Sequence, residues 1–359
     1  MKSWKIFLAT VIPLVWILVV YFREEEIKKP LFMSNPELKT ITPHPDWNGT
    51  PLNKKGNFVN LYHPFESSFG DLWKWQTSKN PQKKEKGEET RTLKIEYDPN
   101  TLSIGDDYLI WLGHATYLIK VNGLVMLTDP VLFDNLFLKR ESELPFMVED
   151  LPPIDLLMIS HNHRDHCDKK TIQYLSAQYP QMKILTGLKL GDVIKPWTEG
   201  QPIEEAGWYQ QYNIKNENIN ITYVPSRHWS RRWLWDLNEN LWGGFYIEFG
   251  EESIYFMGDS GLGPHFEDIK KTLGKPDHCL MGVGAYKPEW FMSQAHISPS
   301  DAIEAFNILE GKYFVPMHFG TFNLSDEPRF EPWDILYKNK SMIKGQLIEP
   351  LIGKNLLQK

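Results

Sequence analysis

The chain has 359 residues, 42% of them hydrophobic, and a formal net charge of -7 at pH 7. This length suits one large domain or two ordinary ones, and the composition is that of a soluble globular core. The net negative charge argues against a general nucleic-acid-binding protein, which would carry a basic stripe. The two cysteines, Cys167 and Cys279, are too few and too far apart to form a disulfide framework.

An apolar run from Ile6 to Phe22 follows Lys2 and Lys5 at the amino terminus. The run is at the short end of what crosses a bilayer, and it lacks the small residues of a signal-peptidase site. We therefore predict an N-terminal transmembrane anchor over residues 1–22, with a cleaved signal peptide as the alternative. Because the two lysines and the amino group stay in the cytoplasm, the rest of the chain is predicted to lie on the extracytoplasmic side.

Residues 23–101 are predicted to form a linker that then wraps the following domain, since their first part is rich in Pro, Asn and Lys. Within them, Ser78–Arg91 is nearly all polar and charged, which favours a solvated mobile loop over a charged recognition loop. Residues 102–359 are predicted to form one layered α/β domain, because strand patterns alternate with single helices. The predicted strands lie near residues 109–113, 116–120, 124–128, 155–160, 183–186, 219–224, 245–249, 253–257 and 313–316, and the predicted helices at 169–178, 266–273 and 299–309.

Three of the 11 histidines fall within six residues, directly after the apolar strand that ends at Ser160. Imidazole and carboxylate ligands suit zinc, and also iron or manganese. His161 and His163 alternate at the strand end and can converge on one ion, whereas Asp165 and His166 can point at a second. We interpret the hexapeptide as the start of a two-metal site, with zinc as the favoured ion.

One hexapeptide cannot fill two coordination spheres, so other strand ends must supply further ligands. Three strands each run into a polar residue of the required type, and these residues are His228, Asp259 and His318. Alone, each of them would be ordinary turn or cap chemistry. Their joint occurrence, in this order along the chain, predicts a single metal centre.

Together these motifs resemble the metallo-β-lactamase superfamily, which has an HxHxDH motif, a later His, an Asp in a strand turn and a last His. The resemblance covers roughly residues 104–350. It implies a four-layer αββα sandwich and a dinuclear metal site at the edge between its two sheets. It also implies a first ion held by His161, His163 and His228, a second ion held by Asp165, His166 and His318, and a bridging Asp259.

Further residues follow from the same resemblance. Asp129 matches an early strand-end Asp that supports the ligands without binding metal. Several segments, among them Ser226–Trp229, Leu241–Gly243, Gly284–Tyr286 and His318–Thr321, resemble the branch of N-acyl-phosphatidylethanolamine-hydrolysing phospholipase D and its bacterial relatives. The candidates for substrate contact are His114, Trp229, Arg231, Arg232, Tyr286 and His296, and the candidates for catalysis are Asp165 and Asp259. The branch often has Gln directly before the His that matches His296, where this chain has Ala295.

The stretch from His228 to Trp242 combines tryptophans with two arginines. It suits either a lipid-facing lip or a packed loop over the core. The predicted function is hydrolysis of N-acyl-phosphatidylethanolamine to N-acylethanolamine and phosphatidic acid, with two divalent metal ions as cofactor and a phospholipid as partner. One alternative is a lactonase or phosphodiesterase that acts on a small soluble substrate. Another is a non-catalytic, membrane-tethered binding protein, which would predict a damaged ligand set.

Overall fold

The computed structural model describes residues 31–66, 69–103, 105–136 and 138–357. The predicted anchor over residues 1–22 lies outside these ranges. Within them, no helix has both the length and the apolar character needed to span a bilayer. The single-pass anchor, and the extracytoplasmic location that follows from it, therefore remain predictions.

The N-terminal segment contributes three short strands to the fold. They are β1 (Phe32–Met33), β2 (Lys39–Thr40) and β3 (Thr50–Pro51). Strands β1 and β3 pair with each other in an antiparallel ladder.

Six strands form the first large sheet, in the order in which they occur along the chain. Pairing is antiparallel from the first to the third and parallel from the third to the sixth. The strands are β4 (Tyr108–Trp111), β5 (Tyr117–Val121), β6 (Leu124–Thr128), β7 (Leu156–Ile159), β8 (Lys183–Gly187) and β9 (Ile203–Ala206).

The second large sheet has eight strands in the order β16-β15-β14-β13-β12-β11-β10-β2. Its ladders are antiparallel from β2 to β13 and parallel from β13 to β16. Apart from β2, its strands are β10 (Gln210–Gln211), β11 (Ile219–Val224), β12 (Gly244–Phe249), β13 (Glu252–Phe256), β14 (His278–Gly282), β15 (Tyr313–Met317) and β16 (Gln346–Leu347).

Helices pack around the two sheets. The α-helices are Phe69–Thr77, Lys83–Glu88, Asn100–Ser103, Lys169–Gln178, Gly191–Ile194, His265–Leu273, Glu289–Met292, Pro299–Leu309 and Glu331–Lys338. Short 3₁₀ helices occur at Val148–Asp150, Lys195–Trp197 and Lys340–Met342.

Because successive side chains of a strand point to opposite faces of the sheet, one strand can contribute to two different cores. In β4, Leu109 and Trp111 join the core between the sheets, whereas Tyr108 and Ile110 join a second core outside the first sheet. Ile172 and Leu175 of helix Lys169–Gln178 fill that second core, and Phe306 of helix Pro299–Leu309 packs with the second sheet. The fold is thus a mixed α/β sandwich with its two sheets inside.

Most predicted elements are confirmed to within about two residues. Helix Pro299–Leu309 begins as its sequence indicates, since Ser298 caps it by accepting a hydrogen bond from the Asp301 backbone N–H. The sequence reasoning missed β14, a short buried strand that contains His278 and Cys279.

The prediction of a solvated mobile loop over Ser78–Arg91 was incomplete. It contains the exposed helix Lys83–Glu88, and polar contacts tie the segment to Asp326 and to helix Glu331–Lys338. Asn80 Nδ2 donates to the Asp326 carbonyl at 2.7 Å, and Arg91 pairs with Asp334 at 2.7 Å. These contacts are non-local, so the charge pattern alone could not reveal them.

Candidate metal centre

The predicted ligands all emerge at one edge of the sandwich. β6, β7, β11, β13 and β15 end there, and each is followed within four residues by a polar side chain of the predicted set. The chain can turn into Asp259 because Gly258 has a φ of 63° and a Cβ there would lie 2.5 Å from the Gly243 carbonyl oxygen. His114, Asp129 and His318 also have positive φ, which concentrates backbone strain at this edge.

A first group of ligand atoms comes from His161, His163, His228 and Asp259, all within 4.8 Å of one another. His163 Nδ1 lies 3.0 Å from His161 Nε2 and 3.1 Å from His228 Nε2. Asp259 Oδ2 lies 3.8 Å from each of those two Nε2 atoms. One proton cannot satisfy three nitrogens that face a common point, so this arrangement is that of ligands around a cation.

A second group comes from Asp165, His166 and His318, with His114 beside them. His166 Nε2 and His318 Nε2 are 3.2 Å apart, and Asp165 Oδ2 lies 3.4 Å from the former and 3.5 Å from the latter. Asp259 joins the two groups, because its Oδ2 is 3.1 Å from His166 Nε2 and its Oδ1 is 3.1 Å from His318 Nε2. All seven predicted ligands therefore meet in one buried cluster, with Asp259 in the middle.

The residues present fit metal ions. A tetrahedral zinc ion with ligands at about 2.05 Å separates neighbouring ligand atoms by about 3.3 Å, and the cluster distances scatter around that value. Asp259 Oδ2 is buried without a hydrogen-bond partner among the described residues. Asp129 and Asp259 are buried and Asp165 is largely so, and three carboxylates this close together demand compensating positive charge.

The pKa values of the histidines also favour metal ions at this site. Burial lowers the pKa of His161 and His228 well below the ordinary value and that of His163 to about 4, so these imidazoles are neutral and available as ligands near pH 7. Although burial opposes it, the carboxylates of Asp259 and Asp165 raise the pKa of His318 to about 9. The carboxylates thus favour a cation at the second group.

Neighbouring groups fix the orientation of the ligand rings. Asp129 Oδ2 lies 2.7 Å from His166 Nδ1, and Asp129 Oδ1 accepts the Ser160 backbone N–H at 2.7 Å. The Ala295 carbonyl lies 2.9 Å from His228 Nδ1. Contacts of this kind hold each ring with its other nitrogen toward the ion. The structure places the Asp129 carboxylate against His166, and its supporting role stays a prediction.

A cavity of about 420 Å³ opens over the cluster. His163, Asp165, Asp259, His296 and His318 reach it from the metal-binding side. Its other walls are mainly apolar and are formed by Phe65, Leu72, Trp75, Trp229, Leu237, Phe291, Met292 and Leu324, with Arg164 and Arg231 among them. The site therefore combines a charged floor with room for an apolar group.

Of the six candidates for substrate contact, Trp229, Arg231 and His296 line the cavity. His296 is also close to the ligands, with its Nδ1 3.8 Å from Asp259 Oδ2.

The polar groups of the other three candidates point elsewhere. His114 is buried and its Nε2 lies 3.1 Å from Asp165 Oδ2, so its ring faces that carboxylate. Arg232 donates to the carbonyls of Asn162 and Cys167 at 3.1 and 2.8 Å, and the Tyr286 hydroxyl contacts Glu331.

Sequence reasoning missed the cavity wall that comes from the N-terminal extension. Phe65 stacks on Trp229 with ring centroids 5.0 Å apart, and Trp75 stacks on Phe291 at 5.3 Å. The aromatic residues of helix Phe69–Thr77 were the available signal, but nothing local connects them with a site more than 80 positions away. Cys167 is buried and unpaired, and burial raises the pKa of its thiol to about 12, as expected of a packing residue.

Comparisons with known proteins agree with this geometry. The family model described as the beta-lactamase superfamily domain matches residues 125–319, more than half of the chain. N-acyl-phosphatidylethanolamine-hydrolyzing phospholipase D 1 of Caenorhabditis elegans is 33% identical over 247 residues, which cover 64% of this chain and 68% of that protein. The mitochondrial enzyme of the same name from Saccharomyces cerevisiae is 32% identical over 235 residues, and the match spans only 50% of its length.

Solved structures show the same fold. Igni18, a metallo hydrolase from Ignicoccus hospitalis, matches with a TM-score of 0.56 at 19% identity, over 70% of this chain and 97% of that one. The sequence match, the shared fold and the intact His/Asp cluster lead to one assignment. The chain belongs to the metallo-β-lactamase superfamily, as a metal-dependent hydrolase of the branch similar to N-acyl-phosphatidylethanolamine-hydrolysing phospholipase D.

Proposed function

We propose that this protein is a two-metal phosphodiesterase that hydrolyses N-acyl-phosphatidylethanolamine to N-acylethanolamine and phosphatidic acid. The observation that carries the proposal is the cavity itself, whose apolar walls rise from a floor of metal-binding groups. A small polar substrate has no need of eight large apolar side chains around the reacting centre. A phospholipid places one phosphodiester next to long hydrocarbon chains and needs both parts of this cavity.

The chemistry requires one water molecule per turnover. Its oxygen joins phosphorus, the phosphorus–oxygen bond to the N-acylethanolamine breaks, and a proton goes to the departing alkoxide. Two bound divalent ions supply Lewis-acid chemistry that neutralises the phosphodiester and lowers the pKa of water. We infer that His161, His163 and His228 would hold one ion, that Asp165, His166 and His318 would hold the other, and that Asp259 would contribute to both. Zinc is the favoured metal for this ligand set, with iron or manganese as alternatives.

The protein's own groups position the substrate. Arg231 lines the cavity beside the cluster, where its guanidinium can meet a phosphate oxygen. Trp75, Trp229 and Phe291 form the apolar wall on which acyl chains pack. Asp165 and Asp259 face the same space, so either carboxylate can accept a hydrogen bond from the attacking water.

The test starts with metal analysis of the purified chain, followed by a panel of lipids with products detected by mass spectrometry. We expect about two ions per chain and equal amounts of phosphatidic acid and N-acylethanolamine. The Asp259→Ala and His163→Ala variants should abolish turnover while the domain stays folded. His63→Ala is a matched control, since His63 is exposed and outside the cluster.

Other outcomes decide between the alternatives. Rapid opening of lactones, or cleavage of soluble phosphodiesters, with N-acylated lipid left intact would replace the lipid substrate by a small soluble one. A chain without stoichiometric metal and without turnover would favour a binding protein over an enzyme. Full activity of Asp259→Ala would refute the proposed centre itself.

A further inference from the structure

A run of large apolar side chains stands out from the surface next to the cavity. We call residues Arg231–Leu237 the tryptophan loop. Trp233 is 53% exposed, Leu234 88% and Trp235 75%, and Leu237 is exposed as well. A soluble surface rarely concentrates so much apolar area in one short segment, and such patches mark binding sites.

The exposure of these side chains is built into the loop. Asp236 is buried and accepts hydrogen bonds from the backbone N–H groups of Arg232 and Trp233 at 3.0 and 2.8 Å. The rings of Trp233 and Trp235 stack with centroids 5.9 Å apart and planes only 7° from parallel. Arg232 fastens the loop to the carbonyls of Asn162 and Cys167, inside and just after the ligand hexapeptide. The loop therefore presents a fixed apolar tip and is tied to the metal centre.

The tryptophan loop is continuous with the cavity. Arg231 and Leu237, at its two ends, line the cavity wall. Two other segments that line the cavity also expose a tryptophan, since Trp73 precedes the lining residue Trp75 and Trp290 precedes Phe291. Exposed rings thus lie on three of the segments that surround the opening.

Cationic groups accompany these rings. The guanidinium of Arg164 lies 5.3 Å from the Trp233 ring centre, that of Arg231 lies 5.2 Å from Trp229, and Lys74 Nζ lies 4.3 Å from Trp290. Among residues 31–357 as described, no carboxylate forms a salt bridge with Arg231. Segments that combine Trp with Arg and Lys bind at the headgroup depth of a bilayer, where the rings contact acyl chains and the cations contact phosphates.

We propose that the tryptophan loop docks this protein on the surface of a phospholipid bilayer, with Trp233, Leu234 and Trp235 inserted at headgroup depth. Docking in this way turns the cavity mouth toward the membrane, so a lipid can move into the site without crossing water. The inference deepens the proposed function and rests on it for the bilayer as the source of substrate. The contact itself depends only on the loop, the exposed rings and the cations around them.

The experiment measures hydrogen–deuterium exchange of the full-length chain with vesicles of phosphatidylcholine and phosphatidylglycerol. Vesicles should slow exchange in residues 229–241 and in residues 285–296 at the cavity mouth. In a Trp233→Ser/Leu234→Ser/Trp235→Ser variant, the vesicle concentration that half-protects residues 285–296 should rise on the order of tenfold. Since the predicted anchor is present in both proteins, a difference between them in protection at the mouth reports the contribution of the tryptophan loop.

A Met147→Ser/Met342→Ser variant is the matched control, since both residues are similarly exposed but lie on segments that do not line the cavity. It should behave as the wild type, and both variants should keep the metal content and melting temperature of the wild type. Unchanged exchange at residues 229–241 with vesicles would overturn the docking proposal. A variant that alters the oligomeric state but not the vesicle response would overturn it in favour of a contact between copies. Protection at the loop without cleavage of N-acylated lipid would instead contradict the proposed substrate.

Discussion

Asp129 offers a sharp test of how the metal centre is supported. Its side chain is completely buried, one oxygen lies 2.7 Å from His166 Nδ1, and the other accepts the Ser160 N–H at 2.7 Å. An Asp129→Asn substitution keeps the shape and one acceptor oxygen. If that oxygen keeps accepting the Ser160 N–H, the new amide N–H faces His166 Nδ1. Because His166 donates from that nitrogen, its ring loses the hydrogen-bond acceptor.

The expected cost can be worked out from that geometry. A hydrogen bond to a charged group contributes about 1.5–3 kcal/mol, and loss of such a support lowers metal affinity by roughly 10- to 100-fold. Since one decade corresponds to about 1.4 kcal/mol, the two figures agree. The loss of affinity should affect the ion that we propose Asp165, His166 and His318 hold, and the ion proposed for His161, His163 and His228 should be less affected.

Stepwise metal titration of the metal-free protein, followed by calorimetry, separates the two ions. Asp155→Asn is the matched control, because Asp155 Oδ2 accepts the Val125 N–H at 2.8 Å at the opposite end of the same sheet. The control should bind both ions with wild-type affinity. Equal affinities for both ions in Asp129→Asn and in the wild type would refute the reasoning, and so would loss of the first ion alone.

Three further outcomes are expected. Removal of metal by a chelator should lower the melting temperature by several degrees, because the buried Asp259 and the largely buried Asp165 lose their counter-charge, and added Zn²⁺ should restore it. An unchanged melting temperature would contradict a contribution of the ions to stability. The Trp75→Ala variant should raise KM for long-chain lipid more than kcat changes, with short-chain substrates as the control, and equal effects on both chain lengths would remove Trp75 from the acyl wall. Burial lowers the pKa of His278 to about 4, so between about pH 6.5 and pH 4 the unfolded chain binds a proton that the folded chain does not. The free energy of unfolding should therefore fall as pH falls through that window. The His278→Asn variant should show a weaker dependence of the free energy of unfolding on pH, measured by urea titrations at several pH values. An identical pH dependence would contradict the contribution of His278.

Local patterns were enough to predict much of this protein. Apolar alternation marked the strands of both sheets, and the polar residue after each strand marked the cluster, because parallel strand ends meet at one edge of a sheet. A layered α/β domain and a cluster of His and Asp residues at its strand ends could therefore be predicted before any distance was known. The αββα order and the division of the seven ligand positions between two ions came from the resemblance to the metallo-β-lactamase superfamily. Short elements without periodicity, such as β14, gave no comparable signal.

Only the tertiary structure decided which side chains face the substrate cavity. Arg231 and Arg232 are neighbours with the same chemistry, yet the first lines the cavity and the second donates to the Asn162 and Cys167 carbonyls. Phe65 and Trp75 became cavity walls because an N-terminal segment folds back over the site. Such choices depend on contacts between residues far apart in the chain, and packing, not sequence periodicity, determines where each of these side chains points.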